Sequence, residues 1–381
     1  MSPRVTIFQR RLIGYRVELF DRLRSACADR GIELRVAYGP ASPTDAKRND
    51  AAHLAWGDEL DARWFSVRGT EMVWQRVPAD IRASDLLVMT QENKILSNLP
   101  FLARPHTKGR RIAYWGHGRN LQATNPDSAS ERFKALFTTR VDWWFAYTGH
   151  TERILLEQGM PADRITVLAN AIDEETFLAD LAAVTDDQLA GCRAEADLAV
   201  GAPLGLYCGA LYADKKLPLL VGAAERLHEA DPSFRLVVIG DGPARPELEA
   251  LIAHHDWAHW VGAQRGVAKA AWFRLASLLL NPGAVGLHIL DAFAAGVPLV
   301  TTTDDNHGPE IDYLISGTNG LLVDSDRAEV VGRAAVALLT DRDEYQRIVA
   351  AALADAKRYT LGAMVDNFAS GIEACLSRPP R

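Results

Sequence analysis

Four features of the chain have the residue types and spacing for chemistry on a phosphorylated small molecule: the loop 283–287, Asp291, Lys215 and His117. Leu278 to Leu280 read as the end of a strand buried on both faces, and Pro282-Gly283 stops it. From Gly286 the run GLHILDAFAAG repeats apolar residues at helical spacing until Gly296-Val297-Pro298 closes the helix. A loop that feeds a helix in this way presents main-chain N–H groups without intrahelical partners at the positive end of the helix dipole, where phosphate binds well. Gly283 and Gly286 let a ligand come close to the backbone, Ala284, Val285 and Leu287 add further amides, and Asp291 lies within reach of a polar group beside the phosphate. A plain strand-loop-helix crossover would use the same glycines for its turn.

Lys215 stands just before a second helical run, LPLLVGAAERL, and downstream of Gly209, which ends the buried strand LGLYCG; this too suits an anion. The bland alternative is a solvated lysine. His117 follows the strand IAYW, and the C-terminal end of a strand in an open α/β sheet is where ligands bind. A neutral imidazole there offers one donor and one acceptor, although a loop histidine without a ligand fits the same position.

The elements that must position these groups alternate strand and helix. Val5 to Phe8 is a short strand, Tyr15 to Arg30 an amphipathic helix, and Ile32 to Tyr38 the next strand, a β-α-β start. SDLLVMT, IAYW and WWFAYT continue the first half, and LGLYCG, FRLVVIG and the 278–280 strand carry the second. Residues 41–80 are polar, contain Trp56, Trp64 and Trp74, and lack clean periodicity. The turn Gly240-Asp241-Gly242-Pro243 fails as a dinucleotide fingerprint because Arg245 stands where the third glycine belongs.

A length of 381 residues implies two domains. Cys27, Cys192, Cys208 and Cys375 are scattered without metal-ligand spacing, so a reduced cytoplasmic protein is expected, with no metal and no cofactor beyond a co-substrate. A formal charge of −7 argues against nucleic acid as a partner. MSPRVTIFQRR has no leader pattern, and no apolar run is long enough to span a bilayer. The loop RPHTKGRR, with Arg104, Lys108, Arg110 and Arg111, would suit acidic head groups or a lipid-pyrophosphate acceptor, but in an acidic chain a solvated loop is the favoured reading, and peripheral contact at the inner face of the membrane is the furthest this reading goes.

The segment from Asn281 to Asp324 resembles the nucleotide-sugar site of the retaining glycosyltransferases of family four, the glycosyl transferases group 1. Gly-Leu at 286–287, Asp291, GVPLVTT, Pro309-Glu310 and Gly317 to Leu322 follow the family pattern. Asp291 falls on the second acid of that pattern and Gly283 on the first, so one acid is absent; Lys215 falls on the lysine that binds the donor diphosphate, while Ala210 replaces its partner arginine. The resemblance implies a GT-B architecture, two doubly wound Rossmann-like α/β domains facing across a cleft. The N-terminal acceptor domain would cover 1–177 and the nucleotide-sugar domain 178–358, with a helix in 359–381 crossing back to the first. It implies donor contacts at Gly209, Lys215, Gly262, Gln264, residues 283–287 and Asp291, with Gln264 holding the base through its main chain. It also implies catalytic roles for His117 and Lys215, and an acceptor-side, phosphate-facing loop at Gly14 and Arg16. Asn170 and Asp173 match residues near the domain hinge. The expected activity is retaining transfer of a hexose, plain or (given Gly283) deoxy or otherwise modified, from a nucleoside diphosphate sugar to a hydroxyl on a sugar, lipid-linked or small-molecule acceptor. A nucleotide-sugar epimerase of the same fold and a non-catalytic nucleotide-sugar-binding protein are the rivals.

Overall fold

The computed structural model describes residues 2–45, 50–67, 69–103, 109–118, 137–303 and 306–380. The chain forms two compact units, Met1–Ile172 with Leu361–Arg381, and Asp173–Thr360. The division falls at Ile172 and Asp173 rather than near Phe177. Asp173 caps the helix Glu174–Ala183 by accepting from the Thr176 amide, and Phe177 on that helix packs edge-on to Phe273, 5.3 Å away, inside the second unit.

In the first unit the strands are β1 (Arg4–Arg11), β2 (Glu33–Gly39), β3 (Asp58–Glu59), β4 (Ala62–Val67), β5 (Thr70–Gln75), β6 (Leu86–Thr90), β7 (Arg111–Gly116), β8 (Trp143–Ala146) and β9 (Ile165–Val167). Seven form one parallel sheet in the order β3-β2-β1-β6-β7-β8-β9. The runs VTIF, LLVM, IAYW and WWFA are buried throughout, and apolar apart from Thr6, because both faces of the sheet are covered. The helix Leu361–Ser377 provides part of that cover. Its Phe368 is fully buried, with ring centroids 5.1 Å from Trp115 and 4.5 Å from Phe145, a burial worth about 1.5–3 kcal/mol.

Two stretches that the sequence left open take definite form here. Residues 41–80 contain β3 and an antiparallel hairpin, β4–β5, pairing Arg63 with Trp74 and Phe65 with Met72. Its alternation is masked because Phe65 and Val67 occupy the exposed face while Val73 and Gln75 are buried on the other. In the basic loop, Arg104 and Lys108 lie outside the described residues. Arg110 donates to the Arg82 carbonyl (2.6 Å), and Arg111 donates twice to the Arg378 carbonyl (2.9 and 2.7 Å), so both are engaged by the protein itself.

The second unit holds β10 (Leu204–Cys208), β11 (Arg235–Ile239), β12 (Ala258–Trp260), β13 (Leu278–Leu280), β14 (Leu299–Thr302) and β15 (Gly320–Val323), all parallel, in the order β12-β11-β10-β13-β14-β15. Strand order reverses between β10 and β13 here, and between β1 and β6 in the first unit. Loops leaving neighbouring strands in opposite directions open a crevice at such a point, where ligands of open α/β sheets bind.

Candidate functional site

The loops leaving β10 and β13 meet at the switch point of the second unit, and they meet through their backbones. A Cβ on Gly283 would lie 2.4 Å from the Asp214 carbonyl oxygen and 2.5 Å from Lys215 Cα, so no side chain fits there. The Ala284 amide donates to the Asp214 carbonyl (3.0 Å), and Lys215 Nζ donates back to the Ala284 carbonyl (2.5 Å). Lys215 lies in the single 3-10 turn Ala213–Lys215, and Lys216 follows in the left-handed region at φ +50° before the helix Leu217–Ala230. A non-glycine residue held in that region stores roughly 1–3 kcal/mol of strain. Gly240 performs the same service from β11: a Cβ there would fall 1.8 Å from the Gly209 carbonyl oxygen. The structure thus brings Gly209, Lys215, residues 283–287 and Asp291 to one rim.

Within the loop, two amides expected to face an anion are already used. Ala284 N–H goes to Asp214, and Val285 N–H goes to His307 Nδ1 (3.0 Å). Because an amide donates to Nδ1, His307 accepts there, and its Nε2–H donates to the Thr302 carbonyl (2.7 Å); the ring is held in one neutral tautomer. The amides of Gly286, Leu287 and His288 have no protein partner among the described residues. They sit where the helix His288–Ala295 begins, and Gly296 in the left-handed region ends it.

Asp291 is also placed differently from expectation. Its carboxylate is buried and accepts from Lys269 Nζ (2.7 Å) through Oδ2, so a ligand hydroxyl would share it with a lysine. Burial pushes the Asp291 carboxyl up, and the Lys269 ammonium opposes that shift. Lys269 in turn lies over the Phe177 ring at 4.7 Å. His288 accepts from Asn281 Nδ2 at Nε2 (2.7 Å), and burial together with the nearby Lys215 and Lys269 charges depresses it to about 3. It is therefore a neutral acceptor at physiological pH. Asn281, itself buried, keeps an Oδ1 without a partner among the described residues.

Gln264 and Gly262 lie on the adjoining loop. Gln264 Nε2 folds onto the Val261 carbonyl (2.6 Å), and the Gly262 carbonyl accepts from the Gly240 amide (2.9 Å), which ties this loop to the 240–242 turn. Among the described residues no three His, Cys, Asp or Glu side chains group closely enough to hold a metal ion. Sequence reasoning missed Asn281, Lys269, His288 and His307. The last two flank the glycine-bearing loop in GLHILD and NHGPE, a signal present in the chain; Lys269 gave none, because GVAKAAWF reads as an ordinary helix.

In the first unit His117 follows β7, is exposed, and stacks on Tyr147 with ring centroids 4.4 Å apart. Arg16 is a correction. It is 6% exposed, lies 4.2 Å from the centroid of the Trp115 ring and donates to Tyr147 Oη (2.9 Å), so its guanidinium is enclosed by the protein rather than offered to a phosphate. Gly14 opens the same turn and donates its amide to the Asp50 carbonyl (3.0 Å). Arg10 and Arg11 are ion-paired, the first with Asp45 and Glu92, the second with Asp50 (2.6 Å) and Asp45 (3.6 Å). Tyr147 therefore joins the two candidate segments, one ring face on His117 and its hydroxyl on Arg16.

Comparison with known proteins matches residues 202–341 to the family model of the glycosyl transferases group 1. D-inositol 3-phosphate glycosyltransferase of Xylanimonas cellulosilytica is 31% identical over 247 residues, 58% of this chain and 54% of that protein. Alpha-D-kanosaminyltransferase of Streptomyces kanamyceticus is 30% identical over 218 residues, 55% of this chain and 54% of that protein. These matches thus span about half the length of each relative. The crystal structure of Anabaena HepE in complex with UDP and glucose superposes with a TM-score of 0.67 at 14% identity, covering 97% of this chain and 99% of that one.

Proposed function

From a GT-B chain whose residues 202–341 match the family model of the glycosyl transferases group 1, we propose a retaining transfer of a hexose from a nucleoside diphosphate sugar to a hydroxyl acceptor. The observation that carries this reading is the pairing of Lys215 with the loop 283–287. An ammonium group is fixed on the Ala284 carbonyl, two residues before the unpartnered amides of Gly286, Leu287 and His288. A cation and a helix N-terminus at a switch point suit a diphosphate. In the reaction the acceptor oxygen bonds to the anomeric carbon, the bond from that carbon to the phosphate oxygen breaks, and the acceptor proton passes to the leaving phosphate. Lys215 and the three amides stabilise the charge that develops there, in place of a metal. Asp291 accepts a ribose hydroxyl beside its Lys269 partner, Gln264 and Gly262 border the base, and His117 holds a sugar or acceptor hydroxyl. Gly283 removes an acidic partner for the hexose hydroxyls, which favours a deoxy or modified sugar.

The test is thermal stabilisation across a panel of nucleoside diphosphates, then turnover of donors carrying the selected base. One base is expected to stand out, since a ligand at a hundred times its dissociation constant adds about 2.7 kcal/mol. Transfer that requires an acceptor supports the proposal. An epimer formed from donor alone assigns the chain to isomerisation, and binding without turnover over a broad acceptor panel assigns it to nucleotide-sugar binding.

A further inference from the structure

We propose that the outer face of the β4–β5 hairpin docks the protein on an anionic lipid bilayer, a property independent of the transfer reaction. Residues directly opposite in an antiparallel pair share a face, so Arg63 with Trp74, Phe65 with Met72 and Val67 with Thr70 all project outward. The inner face is fixed to the first sheet: Val73 is fully buried, and Gln75 Nε2 donates to the Gln9 and Arg10 carbonyls (3.0 and 3.2 Å). The outer face leaves Phe65, Val67 and Trp74 exposed by 40%, 50% and 44%, three of the nine large apolar side chains so exposed among the described residues. Their concentration on two short strands distinguishes them from scattered surface apolar residues.

Charge selects the occupant. Arg63 and Arg76 are exposed, and neither has a carboxylate partner among the described residues, although the chain as a whole carries −7. They border a recess of about 510 Å³ with Trp74, Ala62 and Asp61. Glu71 belongs to the inner face, where the Ser42 and Thr44 hydroxyls donate to it (2.8 and 2.9 Å). An aromatic and aliphatic face edged by arginines matches the boundary between head groups and acyl chains of an acidic membrane. Pairing with a second copy would set Arg63 and Arg76 of two chains against each other, and a water-soluble polyanion would gain nothing from Phe65 and Val67.

The test is co-sedimentation of the full chain with sucrose-loaded vesicles of phosphatidylcholine alone or with 30 mol% phosphatidylglycerol, at 0.1 and 0.5 M NaCl. Binding is expected on the anionic vesicles and weakened by salt. Arg63→Gln and Arg76→Gln should each lower it about fivefold, and Phe65→Ser with Trp74→Ala at least tenfold. Val200→Ser, at an exposed apolar side chain of the second unit, should leave it unchanged. Melting temperatures equal to the parent confirm that the variants fold. Absence of vesicle binding by the parent overturns the proposal, as does equal binding by the Phe65/Trp74 variant. A parent that is dimeric and does not bind vesicles, with a monomeric variant, reassigns the face to self-association.

Discussion

The strand-end rims of the two units are built from different materials. In the second unit main chain meets main chain: Gly240 and Gly283 leave no room for a Cβ against Gly209, Asp214 and Lys215, and the Ala284 amide and carbonyl are both bonded across the gap. In the first unit side chains from three segments stack: Arg16 over Trp115, Tyr147 hydrogen-bonded to Arg16, and His117 on Tyr147. A backbone-built rim tolerates almost no substitution at its glycines but holds its amides rigidly. A rim of stacked side chains can be altered one residue at a time and still keep the fold.

The contrast is broken most severely at Gly283. Gly283→Glu, the replacement that would supply the absent acid, has no space for its Cβ and is expected to cost more than about 3 kcal/mol of stability, measured by denaturant unfolding. A variant as stable as the parent would show that the two loops separate easily. Next in size is Lys269→Met, which leaves the buried Asp291 carboxylate unpaired, at a cost of about 3 kcal/mol at pH 7. The double variant with Asp291→Asn should recover most of that loss, and no recovery would place the effect in packing on Phe177 instead.

His288 gives a pH test confined to the same rim. Its folded value of about 3 lies below the usual histidine value, so the unfolded chain takes up a proton first as pH falls. The stabilisation from a neutral His288 is complete above about pH 6.5 and is lost towards pH 3, with a slope of up to about 1.4 kcal/mol per pH unit. Urea unfolding of His288→Gln between pH 7 and 4.5 should lack that component; a slope identical to the parent would remove His288 from the acid response. The smallest effect is expected in the first unit. His117→Ala should lower turnover about five- to tenfold, the worth of one hydrogen bond, while nucleoside diphosphate affinity and melting temperature stay at parental values. Reduced affinity with unchanged turnover would give His117 a donor role instead.

The same difference governs what could be read before the structure. The second rim was legible because close backbone approach leaves a linear trace: glycine after a buried strand, lysine before a helix, an acid one turn into the next helix. The parallel sheets were legible as runs such as LLVM and WWFA, since burial on both faces makes a strand uniformly apolar. Partners contributed from a distance left no such trace. Lys269 reaches Asp291 from 22 residues away, and Arg16 reaches Tyr147 from 131, so the chain alone presented Asp291 as open, and only the family resemblance set Arg16 in a phosphate-facing loop. The β4–β5 hairpin escaped for another reason: its outward Phe65 and Val67 cancel the alternation that marks a half-buried strand.

The most direct test of the central assignment compares Lys215→Ala with the parent by calorimetric titration of the selected nucleoside diphosphate and of its nucleoside. Loss of roughly 1.5–3 kcal/mol for the diphosphate, with the nucleoside unaffected, is expected if the ammonium on the Ala284 carbonyl faces the phosphates. Equal losses for the two ligands, or none for either, would contradict a diphosphate site at this rim.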